Sequence, residues 1–393
     1  MFNIKLLFIL FCTQTIIGQP WDQLSDLPSH IRRDHPATFS SGDFGYLLTG
    51  STISSSSTKD FYKYNSNTDT WTQLSDFPGM ARTLSYAVVS GDFAYIGFGS
   101  GTGGFLNDLW EYDMVNDVWS QKTSCPCVGR GHPAFVELNG KIYVGLGSAA
   151  TGNIRDWWEF DIATNSWAQK ADFLGTPRHH PYYFTVGNYT YVGFGHGGDI
   201  YKDFYRYDPI ADAWMQLNDI PGQARVAGTQ FNYQDKGYIL SGDGENHSYM
   251  STGEFWQYSP TTDAWLELTP HSGTSLWAPG SFVINNHVYF MAGWSGESTI
   301  YNERFWKFNL GDILNNEEHK NETISIYPNP VQNILNIKTL DQITSIKIYS
   351  LQGSLIKETS TNTSISLSDL SAGLYFAQIN VSGYYVTKKF IKS

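Results

Sequence analysis

The chain has 393 residues, enough for two domains or one large one, and its formal charge of −12 argues against nucleic acid or an anionic membrane surface as partner. Aromatic residues make up 16% of it, and its three cysteines are too few for a disulfide framework.

Lys5 precedes an apolar run, Leu6 to Ile17, that ends in TIIGQ. This is the pattern of a secretory signal peptide, with cleavage expected after Gly18. The run is too short to cross a bilayer core of about 30 Å, and no later stretch is apolar enough to do so.

The phrase WDQLSDLP follows at 21–28. It returns as WTQLSDFP at 71–78 and more loosely as WMQLNDIP at 214–221. Six Trp residues open such a phrase: Trp21, Trp71, Trp119, Trp167, Trp214 and Trp265, about fifty residues apart. Before each of the last five come the runs DFYKYN, DLWEYD, DWWEFD, DFYRYD and EFWQYS. Earlier in each unit stand GYLLTGS, AYIGFGS, IYVGLGS, TYVGFGH and GYILSGD, and an Arg heads each unit: Arg33, Arg82, Arg130, Arg178 and Arg225.

Each unit therefore reads as four short strands rich in aromatic and β-branched residues, separated by Gly, Asp, Asn and Ser turns. A four-stranded sheet cannot bury both faces alone, whereas a ring of such sheets can, which predicts a β-propeller. Five units are complete. A sixth begins near Trp277, continues through HVYFMAGW and ERFWKFN, and stops at Leu310 without its Trp strand. WDQL at the front is expected to supply that strand, closing a ring of six blades.

The unit resembles the kelch repeat in its leading Arg, its YVG-G second strand, its Tyr-Asp-to-Trp third turn and its period. The resemblance covers residues 19–310. The family's double glycine appears here as Gly-x-Gly or Gly-Ser, and Trp277 is aligned with the leading Arg in the sixth unit. A WD-repeat propeller is the alternative, but Trp-Asp occurs only at 21–22 among these six phrases.

Several features suggest chemistry and are read as structure. GSGTGG at 99–104 fits a dinucleotide loop only between a strand and a helix, and here it lies between two strands. Carboxylates in NTDTW, VNDVW and IADAW are read as turn formers. Cys125 and Cys127 in SCPCVG are read as loop thiols, with a strained bridge across the single proline as the alternative. His35, His132 and His180 share one repeat position, two after the Arg and before a Pro. Three imidazoles suit zinc or copper, but blades 1, 3 and 4 need not bring them within ligand distance, so no metal is expected. Kelch copper oxidases use a Tyr–Cys cofactor, which a loop thiol pair does not suit, and no cofactor is expected.

In a propeller the loops leading into the first strands and those after the second strands emerge on one face. The resulting ligand candidates are Arg33, Arg82, Arg130, Arg178, Arg225, Trp277, His196, Asp243, Glu245, Trp294, Glu297 and Tyr301, with Tyr201, His247 and Tyr249 beside them. Aromatic plates beside Arg and carboxylates suit a glycan or peptide, and a circle of Arg favours an anionic one, while the other reading of a repeated Arg is that it bonds loop carbonyls between blades. Two functions follow: a secreted binding module for a glycan, peptide or protein, or a carbohydrate-active enzyme similar to the six-bladed kelch mutarotases that act on sialic acid. The discriminating feature is a carboxylate paired with Arg in the central pocket, for which Glu245 and Glu297 are the possible carboxylates.

After Phe308 the sequence changes. The stretch 311–323 is polar and reads as a linker. Short alternating strands follow over 324–393, predicting a small β-sandwich. This stretch resembles the type A C-terminal sorting domain of the bacterial type IX secretion system. The residues that carry the likeness are Tyr327, Pro328, Asn329 and Pro330, the IYSLQG turn at Gly353, LSAGLYFAQI with Gly373, and the terminal Lys388, Lys389 and Phe390. The resemblance implies export, with the secretion machinery as partner, by way of the periplasm and then release or outer-membrane attachment.

Overall fold

A computed structural model of the chain describes residues 21–295, 301–311, 313, 324–339, 342–350, 355–360, 363–381 and 384–393. The expected signal peptide, Glu297, Gly353 and, apart from Gly311 and Ile313, the expected linker lie outside the described residues. The chain divides into two compact units, Met1–Asn309 and Leu310–Ser393.

The first unit is a six-bladed β-propeller. Blade 1 contains Ala37–Ser41, Phe44–Leu48, Phe61–Asn65 and Thr70–Gln73 as one antiparallel meander. Blades 2 to 5 repeat this order from first strands Tyr86–Ser90, Ala134–Leu138, Tyr182–Val186 and Thr229–Tyr233. Each first strand packs beside those of the neighbouring blades, blade 6 beside blade 1 included. The second strands bury almost entirely, because both of their faces meet a blade. Rings fill the wedges between blades: Tyr64 of blade 1 meets Phe305 of blade 6 edge-on at 4.9 Å, a geometry aromatic pairs prefer.

Blade 6 contains Gly280–Ile284, His287–Met291 and Phe305–Asn309, and its outermost strand is Trp21–Gln23. The pairs are Trp21 with Phe308, Asp22 with Lys307 and Gln23 with Trp306. Trp21 is buried, donates from Nε1 to the Thr269 carbonyl at 2.8 Å, and packs on Phe255 and Phe308. The phrase at the front of the sequence is thus the last strand of the last blade.

Turn carboxylates serve the ring, as the sequence suggests, although their partners lie further away than their own backbone. Tyr64, Tyr112, Tyr207 and Tyr258 donate their hydroxyls to Asp69, Asp117, Asp212 and Asp263. Asp69 also accepts from Ser25, and Asp212 from the Ala171 amide, tying each turn to the blade before it. Residues 99–104 lie at a small hairpin, Ser100–Gly101 with Gly104–Phe105, with no helix beside it. Cys125 and Cys127 are joined by a disulfide, where the sequence suggested two thiols.

Two backbone rings link the blades at one end of the channel. The glycine after each second strand donates its amide to the residue heading the next blade. The six bonds are Gly50 to Arg82, Gly99 to Arg130, Gly147 to Arg178, Gly195 to Arg225, Gly242 to Leu276 and Gly293 to Arg33, at 2.8–3.0 Å. These glycines need positive φ and close approach: at Gly147, φ is +97° and a Cβ would lie 2.6 Å from the Gly131 carbonyl. The register also corrects the alignment of blade 6. Leu276, not Trp277, occupies the Arg position, and Trp277 pairs with Trp294 as Asp34 does with Ser51.

The second ring is a collar two residues after each Arg. His35, Leu84, His132, His180, Ala227 and Ala278 all have left-handed φ of 47–60°. His35 donates its amide to Ala278, Ala278 to Ala227, His180 to His132 and His132 to Leu84, at 2.7–3.2 Å.

The second unit packs a three-stranded sheet, Ser325–Tyr327, Ile334–Lys338 and Ser364–Ser366, against a four-stranded one. The larger sheet contains Leu355–Ser360, Ile343–Ser350, Gly373–Val381 and Tyr384–Lys392. Ile337, Ile346, Ile348, Leu367, Ile379 and Phe390 fill the space between them. The amide of Val331 donates to Ile391 at 2.8 Å, and Asn329 Oδ1 accepts from the Ile391 amide at 2.9 Å. The Tyr-Pro-Asn-Pro segment and the terminal basic strand are therefore one structural element.

Candidate functional site

The glycine ring and the collar bring the blade-leading loops and the loops after the second strands to one channel mouth, where Trp277, His196, Glu245 and Trp294 of the candidates gather. The five arginines do not line it. Arg33, Arg82, Arg130, Arg178 and Arg225 are each 0% exposed. Four grip an aspartate at the head of the third strand of their own blade: Asp60, Asp108, Asp156 and Asp203. Arg225 meets Glu254. Arg33, Arg82, Arg130 and Arg178 each add a carbonyl of the second-strand end, as in Arg82 to Phe98 at 3.0 Å. Aromatic rings cover the guanidinium planes, with Phe77 over Arg82 at 4.9 Å and Tyr201 over Arg178 at 4.2 Å. The expected circle of solvent-facing cations is thus a set of buried clamps. In Arg33, Arg82, Arg130 and Arg178 the carboxylate and the carbonyls take up the fork's donors and the acid cancels its charge, while Arg225 meets Glu254 through Nη2 alone but is equally buried.

Histidines occupy the mouth instead. His35, His132 and His180 have ligand atoms within 4.8 Å of one another. The rings of His132 and His180 lie 3.5 Å apart, and Nε2 of His35 lies 2.9 Å from Nε2 of His180. His179 extends the group, with His196 at 5.1 Å, and His196 meets His247 at 4.7 Å. Burial, then the neighbouring imidazoles, hold His132 and His180 well below the usual histidine range, and His179 at about 4. These rings are neutral at pH 7 and carry free lone pairs. Trp277 borders the group, 5.1 Å from His180 and 5.7 Å from His247.

Among proteins of known sequence family, residues 325–393 match the Secretion system C-terminal sorting domain. Residues 19–171 match the KLHDC2/KLHL20/DRC7 Kelch-repeats domain. The chain is a kelch-repeat propeller carrying a type IX sorting tail. No curated protein matches it. The sorting tail marks the kelch propeller for type IX export, to the medium or the cell surface. Among the described residues, no helix is long and apolar enough to cross a membrane.

The other candidates separate by exposure. Trp294 is 39% exposed, 6.4 Å from Tyr249, while Glu245 and His247 lie in an exposed single turn. Tyr301 lines a different recess, of about 180 Å³, beside Leu276 and Arg304. This is where blade 6 lacks the Arg–acid clamp. A larger channel cavity of about 390 Å³ lies along the first strands, lined by Thr38, Tyr86, Glu137, Tyr183, Thr185 and Gln230. Sequence reasoning missed His179, although the pair His179-His180 was a visible departure from the single histidine of blades 1 and 3.

Asp243 of the kelch propeller is buried, 4% exposed, and its Oδ1 has no hydrogen-bond partner among the described residues. Burial pushes its carboxyl up to about 7. In the unfolded chain it ionises near 4. Between these values the folded state holds the extra proton, so this contribution to stability is full below about pH 4 and is lost as pH rises to about 7. Asp243→Asn should remove that loss, gaining on wild type by about 1.4 kcal/mol per pH unit across the window. Urea melts of both proteins at pH 5 and pH 8 check this: an equal gap at the two values would refute it.

Proposed function

We propose that the kelch propeller is an exported recognition module whose ligand, a glycan or an aromatic-rich peptide, docks on the histidine-bordered mouth. The observation that carries this reading is the gathering of Trp277, Trp294, Tyr249 and His247 around one opening. Trp and Tyr faces cover the apolar faces of sugars, and neutral imidazoles supply hydrogen bonds without charge. Since the arginines are paired, attraction is not electrostatic, and affinity should change little with salt. The enzymatic alternative required a carboxylate paired with Arg in the central pocket. Five of the described Arg–acid pairs have a fully buried Arg, and the sixth, Arg32 with Glu303, has its carboxylate on the recess of about 180 Å³ rather than at the histidine mouth, so they do not support it.

A glycan and peptide array probed with the propeller tests the reading. Trp294→Ala should weaken a hit by about tenfold to a hundredfold, as loss of a stacked ring does, with an unchanged melting temperature. A hit indifferent to Trp294 and Trp277 would place recognition elsewhere.

Processing belongs to the same proposal. In cells with a working type IX pathway, the exported chain is expected to lose Met1–Gly18 and about the last seventy residues. Mass spectrometry of surface and medium fractions checks it. Peptides ending in Lys392-Ser393 on exported material would contradict it.

A further inference from the structure

We propose that His35, His132 and His180 form a binding site for one divalent transition-metal ion, of the zinc or copper class, at the collar end of the channel. This goes beyond the recognition role above and does not depend on what the propeller recognises. The sequence reading expected no metal because blades 1, 3 and 4 need not bring these rings together. The collar overturns that premise. Its amide-to-carbonyl bonds include the backbones of all three histidines and hold them around the narrow end of the channel, whatever their separation in sequence.

The spacing fits an ion. Imidazole nitrogens bind zinc at about 2.0–2.1 Å, so neighbouring ligands in a tetrahedron sit about 3.3 Å apart. The observed separations, from 2.9 Å between two Nε2 atoms up to the 4.8 Å limit of the cluster, bracket that value. Small ring rotations would place all three nitrogens on one centre.

The chemistry fits as well. Asp34 Oδ1 lies 3.0 Å from Nδ1 of His35 and accepts its proton. That leaves the His35 Nε2 lone pair to accept from His180 Nε2 at 2.9 Å, a proton that a bound ion would displace, and a carboxylate behind the ring is the arrangement that orients a metal-binding imidazole. Nδ1 of His132 and of His180 are buried without hydrogen-bond partners, so no protein bond competes for these rings on that side. The nearest cations in sequence, Arg33, Arg130 and Arg178, are held away by their aspartates. Three imidazoles without thiolate favour zinc, copper or nickel over calcium or magnesium, and leave a fourth position for water or a ligand group.

The test uses the full chain, stripped with a chelator and dialysed. Zn²⁺ titrated by calorimetry, with metal content measured after gel filtration, should give one ion per chain and a raised melting temperature. Asp34→Asn should weaken affinity tenfold to a hundredfold at unchanged stoichiometry. The triple variant H35A/H132A/H180A should bind none. It is expected to fold, because Ala already stands at the same left-handed position in blades 5 and 6. Cu²⁺ electron paramagnetic resonance on the wild type decides the matter without any variant: nitrogen splitting from three imidazoles supports the site. Absence of binding at about 0.1 mM Zn²⁺ and Cu²⁺ would overturn it. So would an ion held with equal affinity by the triple variant, or copper signals from fewer than three imidazoles.

Discussion

A chain that begins at residue 29 should melt at least about 10 °C below one that begins at residue 19, or fail to fold. The first eight described residues carry three anchors of the seam, two of them buried. Trp21 and Leu27 are buried, and Leu24 packs on the core between blades 6 and 1. Leu24 and Leu27 donate amides to Phe305 and Glu303, and Ser25 holds Asp69 of blade 1. Losing a buried Trp costs about 3–5 kcal/mol and a buried Leu about 2–5 kcal/mol, before the bared edge of Phe305–Asn309 is counted. Against a total stability of roughly 5–15 kcal/mol such a loss is decisive. Differential scanning calorimetry of the two chains measures it. Equal melting temperatures would mean that the Trp21 strand does not close the ring.

Arg130→Ala should cost about 3–5 kcal/mol, because it leaves Asp156 desolvated without its partner. Burial alone would raise the Asp156 carboxyl, and the Arg130 hydrogen bonds and charge outweigh it to hold the group below its usual range. Lys should not rescue the site, since one ammonium cannot span both carboxylate oxygens and the Leu146 carbonyl. The double change Arg130→Leu with Asp156→Asn should recover much of the loss. Blade 6 already has Leu276 at the first of these positions, and Arg304 stands where the other blades have an acid. Chemical denaturation of the three variants orders them. A single Arg130→Ala within about 0.5 kcal/mol of wild type would show that the clamp is dispensable.

Blade number, closure and the tail were legible because each depends on local pattern. Trp phrases, glycines after second strands and terminal motifs recur at fixed offsets, and a propeller maps such offsets directly into space. The fate of the arginines was legible too, but unread. The runs DFYKYN, DLWEYD, DWWEFD, DFYRYD and EFWQYS all open on the acid that clamps the Arg, and the sixth, RFWKFN, opens on Arg304 as the leading Arg disappears. A cation and an anion that recur together, and fail together, are partners. The meeting of His35, His132 and His180 was not legible. It depends on how narrow the collar is, and the collar is made of amide and carbonyl bonds that any side chain permits. Asp243 was named for its place in a loop, while its burial follows from packing against Val226 and Tyr249, which no offset reports.

The join between Trp21 and Phe308 also sets the order in which the molecule can be finished. The partners of the front strand are among the last residues of the propeller to be synthesised and exported, so its contacts span nearly the whole unit. Such long-range closure is slow, because chain entropy is lost before the strand gains its partners. Until residues 305–309 arrive, the front segment has nothing to pair with and the first blade lacks a neighbour on one side. A truncated or stalled chain therefore cannot complete the circle, whereas cutting the chain beyond Asn309 removes no strand of blade 6. The ring records whether synthesis passed Asn309, and trimming the tail leaves that record intact.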